Sequence, residues 1–298
     1  MKPKVPEFIK NLIERAYGKD AMIKIMEEYS NRRNTTFRVN TLKTNTTQVQ
    51  DKLKEAGIEY SRASWNENAI VLDEGMEKQL QELDIYKNGE IYLQSLSSML
   101  PPIILEPKPK ENILDMCAAP GGKTTQIAAM AGNKAFITAC ERNTIRVERL
   151  KYNIQLQGCK GVSIINRDAR DLDDFLKFDK ILLDAPCSGS GTIYSGNKNL
   201  DKSFTRELIN KSVKTQIALI KKAINLLKPG GELVYSTCSI LKEENENIIN
   251  SVLHKGVELM PITIDSSITL LPVSINGTVC VMPCKLYEGF FVAKFKKI

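Results

Sequence analysis

Two cysteines stand where an apolar run gives way to a polar loop. Cys187 lies in the stretch Asp184-Ala-Pro-Cys-Ser-Gly189, which follows Ile181, Leu182 and Leu183. Cys238 lies between Thr237 and Ser239, and that loop follows Leu233, Val234 and Tyr235. An acid, a proline-constrained turn, a thiol and a glycine at the end of a buried strand are the equipment of a reactive loop. A thiol attacks as its thiolate, and neighbouring charges decide when that forms. A third loop, Asp115-Met-Cys-Ala-Ala-Pro-Gly-Gly-Lys-Thr124, has the features of a ligand cradle. Gly121 and Gly122 permit a tight turn and close backbone approach, and Ala118 and Ala119 beside Cys117 and Pro120 leave space. Thiol chemistry beside a bound cofactor is the expectation.

The elements that position these loops alternate. From residue 112 the pattern reads strand 113–116, helix 123–130, strand 135–140, helix 145–157, strands 162–165 and 180–183, and helix 206–227. Strand 232–235, helix 243–253 and strands 279–282 and 290–295 complete it. This rhythm predicts an α/β domain with a mostly parallel sheet covered by helices. In open sheets of that kind, ligands bind beyond the carboxyl ends of the strands, where all three loops fall.

Upstream, residues 7–29 predict two amphipathic helices broken near Gly18, with Asp20 as a cap. Strands are expected at 37–40, 58–60 and 69–72, with a helix from Asn45 to about residue 56. These make a small α+β module, 1–107, ahead of a second domain, 108–298. Tyr92 to Pro102 is polar in its middle, and Pro101 and Pro102 are expected to stop any helix there. Arg32, Arg33, Arg38 and Lys43 are candidates for a phosphate backbone or for an ordinary solvated surface.

Three nucleotide readings compete at the third loop. A phosphate loop needs glycine where Cys117 stands, and the dinucleotide pattern of three spaced glycines is absent. S-adenosylmethionine needs neither. Glu141 ends the next strand about 20 residues after the glycines, where an acid commonly receives ribose hydroxyls. Asp168 follows the third strand and could accept from an adenine amino group. With Asp184, these place acids in three strand-end loops, a pattern that favours a ligand over isolated helix caps.

Composition sets the wider limits. Apolar residues make up 42% of the chain and charged residues 26%, enough for a substantial core. Residues 1–107 carry 15 Lys and Arg against 16 Asp and Glu, whereas 108–298 carry 27 against 19. The positive half is the half with the reactive loops, which favours a polyanionic partner. Lys198, Lys202, Arg206, Lys211, Lys214, Lys221 and Lys222 follow the Cys187 loop and are candidates to track it. Seven cysteines without a dense framework read as free thiols. Neither a signal core nor an apolar membrane run is present, so a cytoplasmic monomer is expected. His254 is the single histidine, away from every motif, which removes Cys-His and Ser-His-Asp hydrolases.

Four segments together resemble the Nop/Sun family of RNA (cytosine-5) methyltransferases. They are 115–123 (DMCAAPGGK), 184–189 (DAPCSG), 236–239 (STCS) and 289–293 (GFFVA), in family order. Residues 92–99 (YLQSLSSM) resemble the segment before the first of these, and the likeness covers about 30–298. Members often carry Arg before the late proline and His after it, where this chain has Val281 and Met282 before Pro283 and Cys284 after it. The usual Asp before Gly-Phe-Phe is Glu288. These departures bear on local substrate contacts.

The resemblance implies a Rossmann-like, S-adenosylmethionine-dependent catalytic domain, 108–298, acting on RNA and preceded by an RNA-binding N-terminal domain, 1–107, with tRNA the favoured substrate and rRNA or a non-catalytic assembly role as alternatives. It implies that Cys238 is the nucleophile and that Cys187 assists release of the product. Position alone leaves that order open, because DNA cytosine methyltransferases attack with the cysteine of a Pro-Cys loop. Asp184 is expected to hydrogen-bond or protonate the cytosine ring at nitrogen 3, which needs a proton or a share of one. Lys123 is expected to orient Asp184 or the base. Cofactor contacts are expected from Cys117 through Lys123 and from Glu141, Arg146, Asp168 and Asp184. No metal is expected.

Overall fold

The computed structural model describes residues 3–197, 200, 204–253 and 256–298. Lys198, Lys202 and His254 lie outside the described residues. Residues 7–29 form the two expected helices, α1 (Glu7–Tyr17) and α2 (Lys19–Glu28). Gly18, at φ 85°, takes the N-cap position of α2, and Asp20 sits in the first turn without a capping hydrogen bond. Ile9, Ile13, Ile25 and Tyr29 share a buried cluster with Leu114, Ile181, Leu183, Tyr235 and Phe291, which belong to the larger, C-terminal sheet.

A four-stranded antiparallel sheet comes next, from β1 (Asn34–Val39), β2 (Ser61–Arg62), β3 (Ala69–Glu74) and β4 (Ile91–Leu93), in the order β2-β3-β1-β4. The strand expected at 58–60 starts at Ser61 instead, because Ile58 is buried with the helix side of this sheet. Helix α3 (Thr46–Glu55) covers the sheet, and the Asn45 side chain accepts the Gln48 N–H at its start. Phe37, Val39, Val49, Leu53 and Ile70 form this sheet's own core. Two short helices, α4 (Glu77–Glu82) and α5 (Asp84–Lys87), lead into β4.

Pro101 and Pro102 do not stop the next helix. Both lie inside α6 (Leu96–Leu105) and both are buried. Each ring removes an N–H that would have bonded four residues back, at Ser97 and Ser98. The Gln94 side-chain amide donates to the Ser98 carbonyl at 3.1 Å and so replaces one lost partner. Leu96, Met99, Leu100 and Leu105 then pack with Ile113, Leu182 and Val234 of the larger sheet. Burying a side chain of this size contributes about 1.5–3 kcal/mol, enough to offset a strained turn.

The larger sheet has nine strands: β5 (Asn112–Asp115), β6 (Phe136–Cys140), β7 (Val162–Ile165), β8 (Phe178–Asp184), β9 (Leu227–Thr237), β10 (Val257–Met260), β11 (Leu270–Leu271), β12 (Val279–Val281) and β13 (Phe290–Lys297). Its order is β11-β12-β13-β9-β8-β5-β6-β7, with β10 also pairing β13. Strands β5 to β9 are parallel, and β10 to β13 add antiparallel pairings. Helices α7 (Gly122–Met130), α8 (Thr144–Leu156), α9 (Arg206–Leu226) and α10 (Glu246–Asn250) complete this Rossmann-like α/β domain. The chain runs outward from β5 through β6 to β7, then returns to β8 on the other side of β5. A crevice opens at that reversal, beyond the carboxyl ends of β5 and β8.

The helix expected over 243–253 is interrupted. A 3-10 turn (Lys242–Glu244) precedes α10, and Asn245 between them sits at φ −119°, ψ −96°. Its side chain accepts the Thr237 hydroxyl at 2.5 Å and donates to the Ser239 carbonyl at 2.8 Å. Side-chain bonding to the Cys238 loop overrides the helical spacing there.

Candidate active site

Asp115 and Asp184 close adjacent parallel strands, β5 and β8, and so face the same crevice. Asp115 is buried. One oxygen accepts the Thr124 hydroxyl at 2.7 Å, and the other has no partner among the described residues. Burial pushes its carboxyl up to about 6. Asp184 is half-buried and both its oxygens are engaged: the Ser236 hydroxyl donates to one at 2.7 Å, and the Lys123 ammonium meets the other at 2.7 Å.

Lys123 leaves the first turn of α7 and also donates to the Ser98 hydroxyl at 2.7 Å, 5.6 Å above the Phe290 ring. Burial opposes its charge, but Asp184 outweighs that and holds the ammonium above its ordinary range. The ammonium thus keeps its proton beside Asp184 and fixes the orientation of that carboxylate in the cavity.

The two thiols are 3.2 Å apart. Their loops end neighbouring strands, β8 and β9, in register at Asp184 and Ser236. The contact with Cys238 and then burial push the Cys187 thiol far above its ordinary range, so Cys187 is a neutral S–H.

Two cavities meet at this end of the sheet. The larger, of about 350 Å³, is lined by Cys238, Asp184, Lys123, Asp115, Ser98, Phe290 and Glu288, with Cys117, Ala118, Ala119, Pro120 and Gly122 on one wall. The smaller, of about 90 Å³, is lined by Cys117, Glu141, Arg146, Asp168, Met116 and Leu219, among others. Cys117 faces both. Gly121 lines neither: at φ 112° it forms the N-cap of α7, and a Cβ there would press on Leu150 at 3.1 Å. Cys187 is not on the wall of the larger cavity and stands behind Cys238.

The acids of the smaller cavity are already engaged. Glu141 pairs with Arg146 at 3.3 Å and accepts the Asn143 N–H at 2.9 Å, while Arg146 also donates to the Ala119 carbonyl. Asp168 accepts the Arg170 N–H and guanidinium, and these bonds hold its carboxyl below the usual range.

The basic residues of the N-terminal half are mostly committed elsewhere. Arg38 is buried and bonds Gln94 and Thr125, and burial lowers its guanidinium to about 10. Arg33 donates to the carbonyls of Gly191, Thr192 and Ile193. Lys43 reaches the Asn88 carbonyl, and Arg32 alone of the four meets only a distant acid, Glu77 at 3.9 Å. On α9, Arg206 and Lys222 pair with Glu243 and Asp174, whereas Lys211, Lys214 and Lys221 are exposed. Trp65 bonds the Tyr287 hydroxyl at 2.8 Å and packs between the two sheets.

Sequence reasoning assigned no role to Ser98, Ser236 or Asp115, although each lies inside or beside a motif it singled out. The polar middle of 92–102 was the signal for Ser98, since a helix gains nothing from serines there unless they bond something. Glu288 carries the departure from the family pattern onto the cavity wall, where its side chain accepts the Ser95 hydroxyl at 2.8 Å.

Residues 102–296 match the family model described as 16S rRNA methyltransferase RsmB/F. The chain belongs to the RsmB/F (Nop/Sun) family. That family is S-adenosylmethionine-dependent, and residues 5–79 match its ferredoxin-like domain as well. Ribosomal RNA small subunit methyltransferase F of Shewanella piezotolerans is 37% identical over 272 residues, covering 88% of this chain and 57% of that protein. The tRNA (cytosine(72)-C(5))-methyltransferase of Pyrococcus horikoshii is 40% identical over 220 residues, covering 74% of this chain and 55% of that one. The chain thus spans little more than half the length of these curated relatives. Two solved Pyrococcus horikoshii structures match nearly end to end. A methyltransferase homologue has TM-score 0.86 and 32% identity, covering 99% of this chain and 96% of that one. NSun6 with SFG has TM-score 0.87 and 27% identity, covering 98% of both chains.

The cavities suit the cofactor of this family. The unpartnered oxygen of buried Asp115 is an acceptor for an ammonium, and Glu141 is an acceptor beside the smaller cavity. Among the described residues no helix is long and apolar enough to cross a membrane.

Proposed function

We propose that the chain methylates carbon 5 of cytosine in RNA, with tRNA the favoured substrate, acting in the cytoplasm through a covalent cysteine–cytosine intermediate. The observation that carries this is the single cavity shared by Cys238, Asp184, Lys123 and Cys117. Nucleophile, ring-activating acid and cofactor loop all line it.

Glu141, Asp115 and the Cys117–Gly122 loop would hold S-adenosylmethionine, which would supply an electrophilic methyl group when bound. Carbon 5 of cytosine is too weak a nucleophile to take that methyl unaided. The Cys238 thiolate adds to carbon 6, while a proton reaches nitrogen 3 through Asp184, which Lys123 orients. The ring electrons then move to carbon 5 as an enamine, which takes the methyl group. A base removes the carbon 5 proton, the Cys238–carbon 6 bond breaks with its electron pair returning to sulfur, and the proton on nitrogen 3 goes back to Asp184. Cys187, a neutral thiol 3.2 Å away, is placed to give that leaving thiolate a proton. Such covalent catalysis replaces one difficult step by easier ones. The target base must enter unstacked, because stacking shields carbon 6.

A ribosomal substrate is the second reading, favoured by the name of the Shewanella relative. Bisulfite sequencing of total RNA from cells with and without the gene separates the two. Cytosines protected only in the presence of the gene should lie in tRNA. Protection confined to rRNA moves the substrate, and no gene-dependent protection in any RNA sinks the reading.

A further inference from the structure

The chemistry above leaves unused an acid more deeply buried than Asp184. Glu244, fully buried in the turn before α10, receives donors from both thiol loops. Ser188, the residue after Cys187, gives its backbone N–H to one carboxylate oxygen at 2.7 Å and its hydroxyl to the other at 2.5 Å. Ser239, the residue after Cys238, gives its hydroxyl to that second oxygen at 2.6 Å.

The direction of every proton in this network follows. The Ser239 oxygen accepts the Leu241 N–H at 3.1 Å and its own proton is committed to Glu244. The 2.9 Å contact between Ser190 and Ser239 must therefore run from Ser190 to Ser239, and the Ser190 oxygen in turn accepts the Ile240 N–H at 3.0 Å. All the donors end on one group that only accepts, which an ionised carboxylate satisfies and an amide cannot. The turn itself is tied down separately, by the Tyr235 hydroxyl on the Glu244 carbonyl at 2.7 Å. Burial raises the carboxyl, while the Ser188 and Ser239 bonds oppose it. Burying a carboxyl there with no ammonium partner among the described residues is costly, more so than packing alone would justify.

We propose that Glu244 is a positioning residue that clamps the two thiol loops together and thereby keeps Cys187 against Cys238. The proposal rests on the two-thiol reading of the function only for its kinetic consequence. The geometric consequence is independent of RNA. One consequence for turnover is specific: a loosened clamp leaves attack by Cys238 possible but slows release.

The test has an arm without RNA and an arm with it. Dibromobimane, which fluoresces once both its bromines are displaced by thiols, reports the Cys187–Cys238 pair, with Cys187→Ala as background. Glu244→Gln should cross-link about tenfold more slowly than wild type, and Ser188→Ala more slowly by a smaller factor. Ser188→Thr, which keeps the hydroxyl, should restore the rate. With RNA, Glu244→Gln should lower kcat about tenfold at an RNA KM within about twofold of wild type, and accumulate a denaturation-resistant adduct. If Glu244→Gln does not fold, the Ser188 pair of variants carries both arms. Cross-linking at the wild-type rate in Glu244→Gln and Ser188→Ala overturns the clamp. Slowed cross-linking in a protein whose wild type methylates no RNA keeps the clamp and sinks the function instead.

Discussion

The loops after β8 and β9 end neighbouring parallel strands, and each carries a cysteine followed by a serine that bonds Glu244. They differ in what they face. Cys238 is on the wall of the cavity that holds Asp184 and Lys123, whereas Cys187 stands behind it with its thiol held neutral. Equivalent places in a sheet therefore do not give equivalent chemistry. Under the proposed function, access to the cavity would separate an attacking thiol from a proton-giving one, with the acid of one loop serving the thiol of the other.

The sharpest way to break this comparison is to exchange the consequences of losing each thiol. Cys238→Ala should abolish methyl transfer to RNA, a loss of roughly 10³-fold or more in kcat, with no adduct formed. Retained activity there would mean that the loops have been assigned the wrong way round. Asp184→Asn should cost about 10²–10⁴-fold in kcat although Asp184 lies on the Cys187 loop, because its partners Lys123 and Ser236 point it at the other thiol's cavity. Cys187→Ala should slow turnover yet leave RNA covalently attached, visible as a shifted band on a denaturing gel. Absence of that band would remove the release role.

Smaller effects test whether the two cavities are as separate as the thiols. Glu141→Gln breaks the ion pair with Arg146 and should raise KM for S-adenosylmethionine about tenfold, or roughly 1.4 kcal/mol, while adduct formation by Cys187→Ala enzyme stays intact. The least effect concerns stability. Asp115 binds a proton more tightly in the folded state, about 6 against 3.8 unfolded, so the folded protein holds more protons between those values. Stability should consequently fall as pH rises from about 4 to 6, by on the order of 2–3 kcal/mol at most from this group. Urea unfolding of ligand-free Asp115→Asn should show a flatter pH dependence than wild type across that window.

Much of this was legible in the residues themselves. Strand ends could be read from short apolar runs stopping at Asp115, Glu141 and Asp184, because parallel strands buried on both faces leave that pattern. The same residues disclosed the cofactor loop. Arg38 was misread as a surface cation because its partners, Gln94 and Thr125, are distant in sequence and neutral. Pro101 and Pro102 misled because local geometry forbids what tertiary burial and the Gln94 amide permit. Glu244 was invisible for a related reason. An acid in a charged run reads as solvated until the serines that bury it are brought together.

The helices α1 and α2 lie far from the reactive loops in sequence, yet the Tyr29 hydroxyl bonds the Ser190 carbonyl at 2.6 Å and the Tyr17 hydroxyl bonds the Ile240 carbonyl at 2.6 Å. Likewise β9 has β13, more than fifty residues downstream, as its antiparallel neighbour. Contacts of such long range are slow to form, since the loop-closure entropy is lost before they stabilise anything. The site is consequently assembled from segments far apart in sequence, and a partly folded chain would hold both thiols without the arrangement described above.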